Sequence, residues 1–282
     1  MIGPDTAASR YPYKAVLPAP IYWIYRAFRT LLVAFQFACF WSGCVLVGWL
    51  WFPLLGLWPG SPEEKMRRAQ RVARRGFRLF HASMRLMRLY HCTSTRRIAR
   101  PDGVAADTPV VLVANHPTLC DTTSIVSLFP DVVTLSRIGF AHNPLIGRPL
   151  RACGFVPVGV HMVRECEERL RMGFDLLIFP EGTRSPVGGL QPFHRGAFEI
   201  AARARVPVVL LKLTCVPSAL SKRLPIWKNP DRTAVLTIEP VEMIHPAASG
   251  LDSRALARAI EQRFHDLMGY SAGPSETIKG VP

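Results

Sequence analysis

A long apolar run close to the N terminus dominates the hydropathy pattern of the chain. From Leu31 to Leu57 no residue is charged, and Gln36 and Ser42 are the main polar interruptions. This run of 27 residues exceeds the roughly 20 residues that a helix needs to cross the hydrocarbon layer of a membrane. Aromatic residues, which favour the membrane interface, lie at both ends: Tyr22, Trp23 and Tyr25 before the run, and Trp49, Trp51 and Trp58 near its end. The pattern predicts a membrane segment over residues 31–60, preceded by a leader over residues 1–30.

Two geometries are open for this membrane segment. It spans the bilayer once, or Ser42-Gly43 and Pro53 divide it into two shorter helices that form a hairpin in one leaflet. Basic residues flank it on both sides, with nine Lys or Arg residues between Lys65 and Arg88. Because cytoplasmic flanks are enriched in Lys and Arg, either geometry puts the rest of the chain in the cytoplasm. A helix buried in a protein core is the alternative, and the length of the run disfavours it.

A basic amphipathic helix is predicted from Glu63 to Tyr90, as the main element of a segment over residues 61–92. Apolar residues recur at helical spacing on one side: Met66, Ala69, Ala73, Phe77, Phe80, Met84 and Met87. The opposite side carries Arg67, Arg71, Arg74, Arg78, Arg85 and Arg88. These arginines form a solvated face on a core helix, or they face anionic lipid head groups. We favour the second interpretation because the helix directly follows the membrane segment.

Residues 93–270 have the pattern of an α/β domain. Six short β-branched runs predict strands at Pro109–Ala114, Asp131–Leu135, Phe155–Val158, Asp175–Phe179, Val206–Leu213 and Thr233–Ile238. Helical patterns lie between several of them, at Met162–Met172 and Gly196–Arg205, and a last helix runs from an Asp252 N-cap to Met268. Strands that alternate with helices indicate a mixed, largely parallel sheet flanked by helices. Residues 271–282 are predicted to be a flexible tail.

Composition narrows the class of protein. The chain has 35 Lys and Arg against 20 Asp and Glu, a net charge of +15, and a positive mean hydropathy of +0.16. A chain that is both basic and apolar suggests an anionic partner: nucleic acid, an anionic bilayer or a phosphorylated small molecule. Nucleic acid is disfavoured because many aromatic residues collect in the membrane run rather than among the basic residues. The seven cysteines include no C-x-x-C pair, which argues against a disulfide framework and against a thiolate zinc site.

Two segments carry candidate chemistry, and each follows a predicted strand. His116 and Asp121 lie five residues apart after the first strand of the domain, where Asp121 can orient the imidazole as a general base. Glu181-Gly182-Thr183-Arg184 follows the strand Asp175–Phe179 and offers a flexible backbone, a hydroxyl and a guanidinium suited to phosphate. Ligands of open α/β sheets bind beyond the carboxyl ends of strands, so the two segments are expected to share one crevice.

Together these segments resemble the glycerolipid acyltransferase family typified by 1-acylglycerol-3-phosphate acyltransferase. That family combines an H-x4-D motif, matched by His116 and Asp121, with an E-G-T-R motif, matched by residues 181–184. Weaker blocks of the family are similar to Gly154–Val158, Phe193–Gly196 and Val206–Val209. The resemblance covers about Val110 to Leu213, and an N-terminal membrane segment is also typical of the family.

The resemblance implies a membrane-bound O-acyltransferase. His116, steadied by Asp121, would be the catalytic base, and the expected substrate-binding residues are Asn115, Arg137, Glu181, Gly182, Thr183 and Arg184. Neither motif requires a metal or a cofactor, and the acyl donor would be acyl-CoA or acyl-carrier protein. The expected partners are membrane lipids and this thioester donor, without nucleic acid. The expected location is a bacterial-type inner membrane, with the catalytic domain facing the cytoplasm.

The acceptor implied by the resemblance is 1-acyl-sn-glycerol-3-phosphate, and two departures from the family bear on it. The second block lacks its usual Arg, since the stretch reads Val158-Gly159-Val160-His161, and Arg137 stands about where a Lys is common. Alternative acceptors are a lyso-ornithine lipid or a product of a polyene pathway. Two different classes of protein are also compatible with these motifs: a hydrolase using the same crevice and a non-catalytic lipid-binding protein. Cys120, between the two motif residues, is interpreted as a small buried hydrophobe.

Overall fold

The structure is a computed structural model that describes residues 10–95, 108–222, 224 and 228–269, without the side chains of residues 248 and 249. After a short 3₁₀ turn at Pro12–Lys14 the helices are α1 (Ala19–Leu46), α2 (Phe52–Leu57), α3 (Pro62–Leu86), α4 (Asp121–Leu128), α5 (Ile138–Ala141), α6 (Gly147–Ala152), α7 (Met162–Arg171), α8 (Gly196–Ala204), α9 (Pro246–Ser249) and α10 (Ser253–Met268). The strands are β1 (Tyr90–Ser94), β2 (Val111–Ala114), β3 (Val132–Ser136), β4 (Val156–Pro157), β5 (Asp175–Ile178), β6 (Val208–Val216) and β7 (Ala234–Ile244).

The strands form one sheet in the order β1-β7-β6-β2-β5-β3-β4. All neighbouring pairs are parallel except β6 and β7, so β1 and β7 run opposite to the other five strands. The central strands are uninterrupted apolar runs because helices cover both faces of the sheet. The predicted mixed, largely parallel sheet flanked by helices is therefore confirmed. Its parallel part brings the carboxyl ends of β2 and β5 to the same edge, which positions the candidate site.

The two faces of the sheet pack against different helices. In β2, Leu112 and Ala114 belong to a core formed with α1, α3 and α4, whereas Val111 and Val113 belong to a core formed with α7, α8 and α10. This division follows from the alternation of side chains along a strand. The N-terminal helices are thus a layer of the fold.

The apolar run forms one continuous helix from Ala19 to Leu57, in which a window of 18 residues has a mean hydropathy of 1.9, so the helix is long and apolar enough to cross a membrane. It begins twelve residues before Leu31, so it includes part of the predicted leader. A π-helical turn at Val47–Trp51 joins α1 to α2, and Ser42-Gly43 and Pro53 do not divide it. Pro53 lies in the first turn of α2, where proline is tolerated. The two separate helices of the predicted hairpin are therefore not formed within this run.

One side of α1 packs along the domain. The buried residues of α1 are Tyr22, Arg29, Val33 and Gln36. The Arg29 guanidinium donates hydrogen bonds to the carbonyl oxygens of Pro230, Arg88 and Arg232, at 3.1, 3.2 and 3.4 Å. The opposite side is exposed and apolar: Ile21, Ile24, Phe28, Leu31 and Phe35.

The basic helix α3 ends earlier than predicted. Its start is set by a capping box between Ser61 and Glu64, with Pro62 in the first turn. It stops at Leu86, Arg88 takes a positive φ of 54°, and Tyr90 opens β1, a strand that the periodicity does not predict. The periodicity predicts a longer helix because the apolar residues Leu89 and Tyr90 continue its apolar side.

Several arginines of α3 bind the protein itself. Arg74 and Arg78 donate to the carbonyl oxygens of Ser127 and Leu128 at the C terminus of α4, at 2.8–3.3 Å. Arg67 forms an ion pair with Asp131 at 2.8 Å. These guanidinium groups therefore complement a helix terminus and a carboxylate, as cations do at the negative end of a helix. The prediction that this side faces lipid head groups is corrected for these three residues.

Candidate active site

The site is built around a His–Asp pair in the loop between β2 and α4. His116 Nδ1 lies 2.7 Å from Asp121 Oδ2. Asp121 is fully buried in the first turn of α4, where the helix dipole favours a negative charge. The His116 side chain keeps 19% of its surface exposed, so the pair has one buried end and one accessible end.

An aromatic ring from the neighbouring strand end fixes the plane of the imidazole. Phe179, directly after β5, stacks on His116 with ring centroids 4.1 Å apart and an interplanar angle of 18°. His116 Nε2 has no hydrogen-bond partner among the described residues. With Nδ1 bound to a carboxylate and the ring held flat, Nε2 can accept a proton from an incoming hydroxyl.

Asp121 is held by a residue to which the sequence interpretation gave no role. Thr118 donates twice to its carboxylate, from the backbone amide to Oδ2 at 2.8 Å and from Oγ1 to Oδ1 at 2.5 Å. The spacing Thr118-x-x-Asp121 at the start of a helix resembles a capping box and is the sequence signal that predicts this contact.

Glu181 binds the polypeptide of the site. It is 3% exposed, and its Oε1 accepts from the His116 amide at 3.2 Å and from Ser185 Oγ at 2.5 Å, while Oε2 accepts from the Gln191 amide at 2.8 Å. Burial raises the pKa of this carboxyl above its ordinary value, against the lowering effect of these hydrogen bonds. Glu181 thus ties the loop after β5 to the loop after β2, and its predicted substrate contact stays a prediction.

The rest of the second segment lies nearer the surface. Gly182 is exposed and has a φ of +63°, and a side chain there would come within 3.3 Å of the exposed His194. Thr183 and Arg184 are half-buried. Arg184 Nη1 donates to the Leu220 carbonyl at 3.0 Å, and the Leu119 amide donates to the same oxygen. The guanidinium is thereby placed close to the His116–Asp121 loop.

A family model described as "Acyltransferase" matches residues 92–214. Residues 92–214, less than half of the chain, are thus similar to the acyltransferase family. The matched range includes both segments of the site. It begins after α3 and after Tyr90.

Curated relatives agree with this assignment. The chain is 38% identical over 116 residues to the chloroplastic 1-acyl-sn-glycerol-3-phosphate acyltransferase BAT2 of Brassica napus. The aligned residues cover 39% of this chain and 34% of the relative. It is 30% identical over 195 residues to a 1-acyl-sn-glycerol-3-phosphate acyltransferase of Chlamydomonas reinhardtii, covering 56% of this chain and 59% of the relative. The chain thus spans about a third of the Brassica protein and of an Arabidopsis thaliana relative that is 36% identical.

A solved structure has the same fold. The crystal structure of the 1-acyl-sn-glycerophosphate (LPA) acyltransferase PlsC from Thermotoga maritima matches with a TM-score of 0.62 and 18% sequence identity. The match covers 88% of this chain and 100% of that chain, so it includes helices outside the matched family range.

Two further predicted residues of the site occupy different positions. Asn115 is 1% exposed, and its side-chain amide binds both the carbonyl and the amide of Leu213 at 2.9 and 2.8 Å. This amide joins β2 to β6 inside the sheet, and its predicted substrate contact stays a prediction. Arg137 is exposed and directly follows β3, at the same edge of the sheet as His116. That position remains compatible with its predicted role.

The cysteine between the two motif residues is not placed as a reactive thiol. Cys120 is 2% exposed, and burial raises its pKa well above the ordinary value, which opposes a reactive thiolate. All seven cysteines are free. No cluster of His, Cys, Asp and Glu suited to a metal ion occurs among the residues that the structure describes.

Proposed function

We propose that this chain transfers a fatty acyl group from a thioester, acyl-CoA or acyl-carrier protein, to the free hydroxyl of 1-acyl-sn-glycerol-3-phosphate, producing phosphatidate. The observation that carries the proposal is the 2.7 Å contact between His116 Nδ1 and buried Asp121, which leaves Nε2 on the accessible side of the ring.

The reaction follows from this geometry. His116 Nε2 takes the hydroxyl proton as the acceptor oxygen attacks the thioester carbonyl, and Asp121 stabilises the imidazolium that forms. The tetrahedral intermediate collapses with cleavage of the C–S bond, and the imidazolium returns the proton to the departing thiolate. The products are an ester and a free thiol, and His116 is regenerated. General-base assistance of this kind contributes about 10²–10⁴ in rate.

Cationic groups at the rim favour a phosphorylated acceptor. Arg184 uses one guanidinium nitrogen on the Leu220 carbonyl, and its remaining donors suit a phosphate oxygen. Arg137, at the same edge of the sheet, is a second candidate. The curated relatives are named for the phosphorylated acceptor, which supports lysophosphatidate over an uncharged lyso-lipid.

We further propose that the protein is membrane-bound through α1 and α2. The exposed apolar side of these helices supports a lipid-facing surface, and their basic flanks support a cytoplasmic location of the catalytic domain. Because the buried side of α1 packs on the domain, the proposed arrangement keeps the active site next to the lipid surface that supplies its acceptor.

The test incubates purified full-length chain with labelled oleoyl-CoA and lysophosphatidate, beside the variants His116→Ala and His142→Ala. His142 is an exposed histidine directly after α5 and serves as the matched control. We expect labelled phosphatidate from wild type and from His142→Ala, and a loss of at least about a hundredfold for His116→Ala. Equal product from wild type and His116→Ala would contradict the mechanism. Product only with acyl-carrier protein or with another lyso-lipid would change the donor or the acceptor.

A further inference from the structure

A buried chain of hydroxyl groups leads away from the catalytic pair. Thr118 Oγ1, which lies 2.5 Å from Asp121 Oδ1, is 3.3 Å from the phenol oxygen of Tyr90. Tyr90 and Thr118 are each 1% exposed. The Tyr90 oxygen lies 3.5 Å from Ser124 Oγ. A polar path therefore runs from the active site to the first residue of β1.

Hydrogen-bonding rules set the direction of this chain. An ionised carboxylate only accepts, so the Thr118 hydroxyl proton points to Asp121. Thr118 Oγ1 also accepts from the Cys120 amide at 3.2 Å, and its other lone pair can accept from Tyr90, which then donates its phenol proton. Burial raises the pKa of Tyr90 well above its ordinary value, so the proton is present. The hydroxyl protons of Tyr90 and Thr118 therefore both point along the chain toward the negative charge of Asp121. Hydrogen bonds that are linked in this way strengthen one another.

A second polar contact joins the same region to α3. His81 Nε2 lies 3.1 Å from Thr123 Oγ1, whose hydroxyl donates to the Cys120 carbonyl at 2.9 Å. His81 therefore donates from Nε2 and carries a lone pair on Nδ1, which has no partner among the described residues. Burial lowers the pKa of His81 to about 4, consistent with a neutral ring. This contact holds the start of α4 against α3.

We propose that Thr118 and Tyr90 are positioning residues for the catalytic pair: Tyr90 orients the Thr118 hydroxyl, and Thr118 fixes the Asp121 carboxylate toward His116 Nδ1. Tyr90 lies outside the matched family range of residues 92–214, at the junction of α3 and the sheet. The segment that precedes the matched range thus reaches the active site through this phenol. The proposal deepens the proposed function, because it assumes that the His116–Asp121 pair is the catalytic one.

A merely structural role predicts a different result. If Thr118 only fills space, Val, which has the same shape, would preserve the site. If its hydroxyl matters only for stability, its loss would resemble the loss of any buried Thr hydroxyl. Thr134 provides that comparison, since it is 4% exposed and its hydroxyl donates to the Leu177 carbonyl within the sheet at 2.9 Å.

The experiment measures how fast diethyl pyrocarbonate modifies His116 in the purified full-length chain, by peptide mass spectrometry. The exposed His142 and His161 serve as internal references. Asp121 keeps the proton on Nδ1 and the nucleophilic lone pair on Nε2, so a loosened carboxylate slows the reaction. We expect Thr118→Val to slow it by about three- to tenfold, and Thr118→Ser and Thr134→Val to react within about twofold of wild type. This readout needs no turnover, so an inactive wild type would overturn the proposed function and leave this test standing.

Tyr90→Phe provides a second test that keeps the fold. We expect a smaller slowing, about two- to threefold, that disappears when Thr118→Val is already present, because Tyr90 acts through Thr118. In turnover assays both variants should lower kcat with little change in KM.

A wild-type rate in Thr118→Val would overturn the proposal, as would a Thr118→Ser rate as low as that of Thr118→Val. An equal effect of Tyr90→Phe in both backgrounds would overturn the path through Thr118. If Thr118→Val fails to fold, a wild-type rate in Tyr90→Phe overturns the Tyr90 step.

Discussion

Helix α1 and strand β2 are both strongly apolar, yet they differ in which side chains they bury. All four residues of β2 are fully buried. Of the 28 residues of α1 four are buried, and two of these are the polar residues Arg29 and Gln36. One apolar side of α1, which includes Leu31, instead faces outward. An apolar sequence therefore does not specify what covers it, and the buried Arg29 and Gln36 mark the side of α1 that contacts protein.

Removal of the N-terminal helix is expected to have the largest effect on folding, and it tests the comparison most directly. Phe40 of α1 packs on Phe80 and Phe77 of α3, with ring centroids 4.8 and 6.0 Å apart. Deletion of residues 1–60 uncovers these rings and part of the core. We expect most of the shortened chain to elute as aggregate in size-exclusion chromatography in detergent. A monomeric fragment with wild-type turnover would show that α1 is dispensable to the domain.

The buried arginine of α1 gives the next largest effect. Arg29→Met removes the donors that satisfy three carbonyl oxygens and retains most of the side-chain volume. We expect the free energy of unfolding to fall by about 2–4 kcal/mol. Arg75→Met is the matched control, because Arg75 is an exposed arginine on α3, and it should change stability by less than about 0.5 kcal/mol. Equal losses in chemical denaturation would contradict the assigned role of Arg29.

Glu181 is the corresponding buried charged group of the domain, and its effect depends on pH. Because burial raises its pKa, the folded chain holds this proton more tightly than the unfolded chain. Its contribution to stability is present below the unfolded pKa and is lost as pH rises through the folded pKa. Glu181→Gln cannot titrate.

The unfolding free energy of wild type should therefore fall relative to that of Glu181→Gln by on the order of 1 kcal/mol as pH rises through this window. Denaturation curves at several pH values measure the difference. The control Glu242→Gln removes a half-exposed carboxylate and should show no such drift. A difference that is constant with pH would contradict the raised pKa.

Substitutions on the outward side of α1 are expected to have the smallest effect on folding. The same substitutions should have the largest effect on membrane binding. Leu31 is 68% exposed, and Val187 is a 46% exposed residue of the domain. Leu31→Asp should change the unfolding free energy in detergent by less than about 0.5 kcal/mol. It should lower liposome binding by about tenfold or more, since a carboxylate in hydrocarbon costs about 2.5–3.5 kcal/mol. Val187→Asp should change neither quantity. Equal flotation of both variants would contradict a lipid-facing surface on α1.

Much of the fold could be predicted because its elements have local signals. The six predicted strands are all present with shifted ends, and Asp252 caps α10 as expected. Strand β1 was missed because it is a short edge strand whose partner β7 lies far along the chain, with Tyr90 opposite Ala234. No periodicity within Tyr90–Ser94 carries that information.

The sequence predicts that two segments lie together in the site. It does not predict the hydrogen-bond and stacking partners of each side chain. The structure brings the His116 amide to Glu181, as parallel neighbouring strands require. The backbone contacts of Glu181 and Asn115 could not be predicted, because a carboxylate or an amide binds backbone as well as it binds substrate. Phe179 was overlooked as a contact of His116 because its stacking depends on the order of the strands.

The contact between Arg29 and the carbonyl of Pro230 has a consequence for how the protein is made. These residues are 201 positions apart, so the acceptor does not exist when α1 leaves the ribosome. At about 5–20 residues per second, roughly 10–40 s of synthesis separate the two. During that interval α1 has no domain to pack against. Both Arg29 and the apolar side chains of the helix therefore need other contacts. The helix must therefore be received by a chaperone or by the bilayer before the protein that it belongs to is complete.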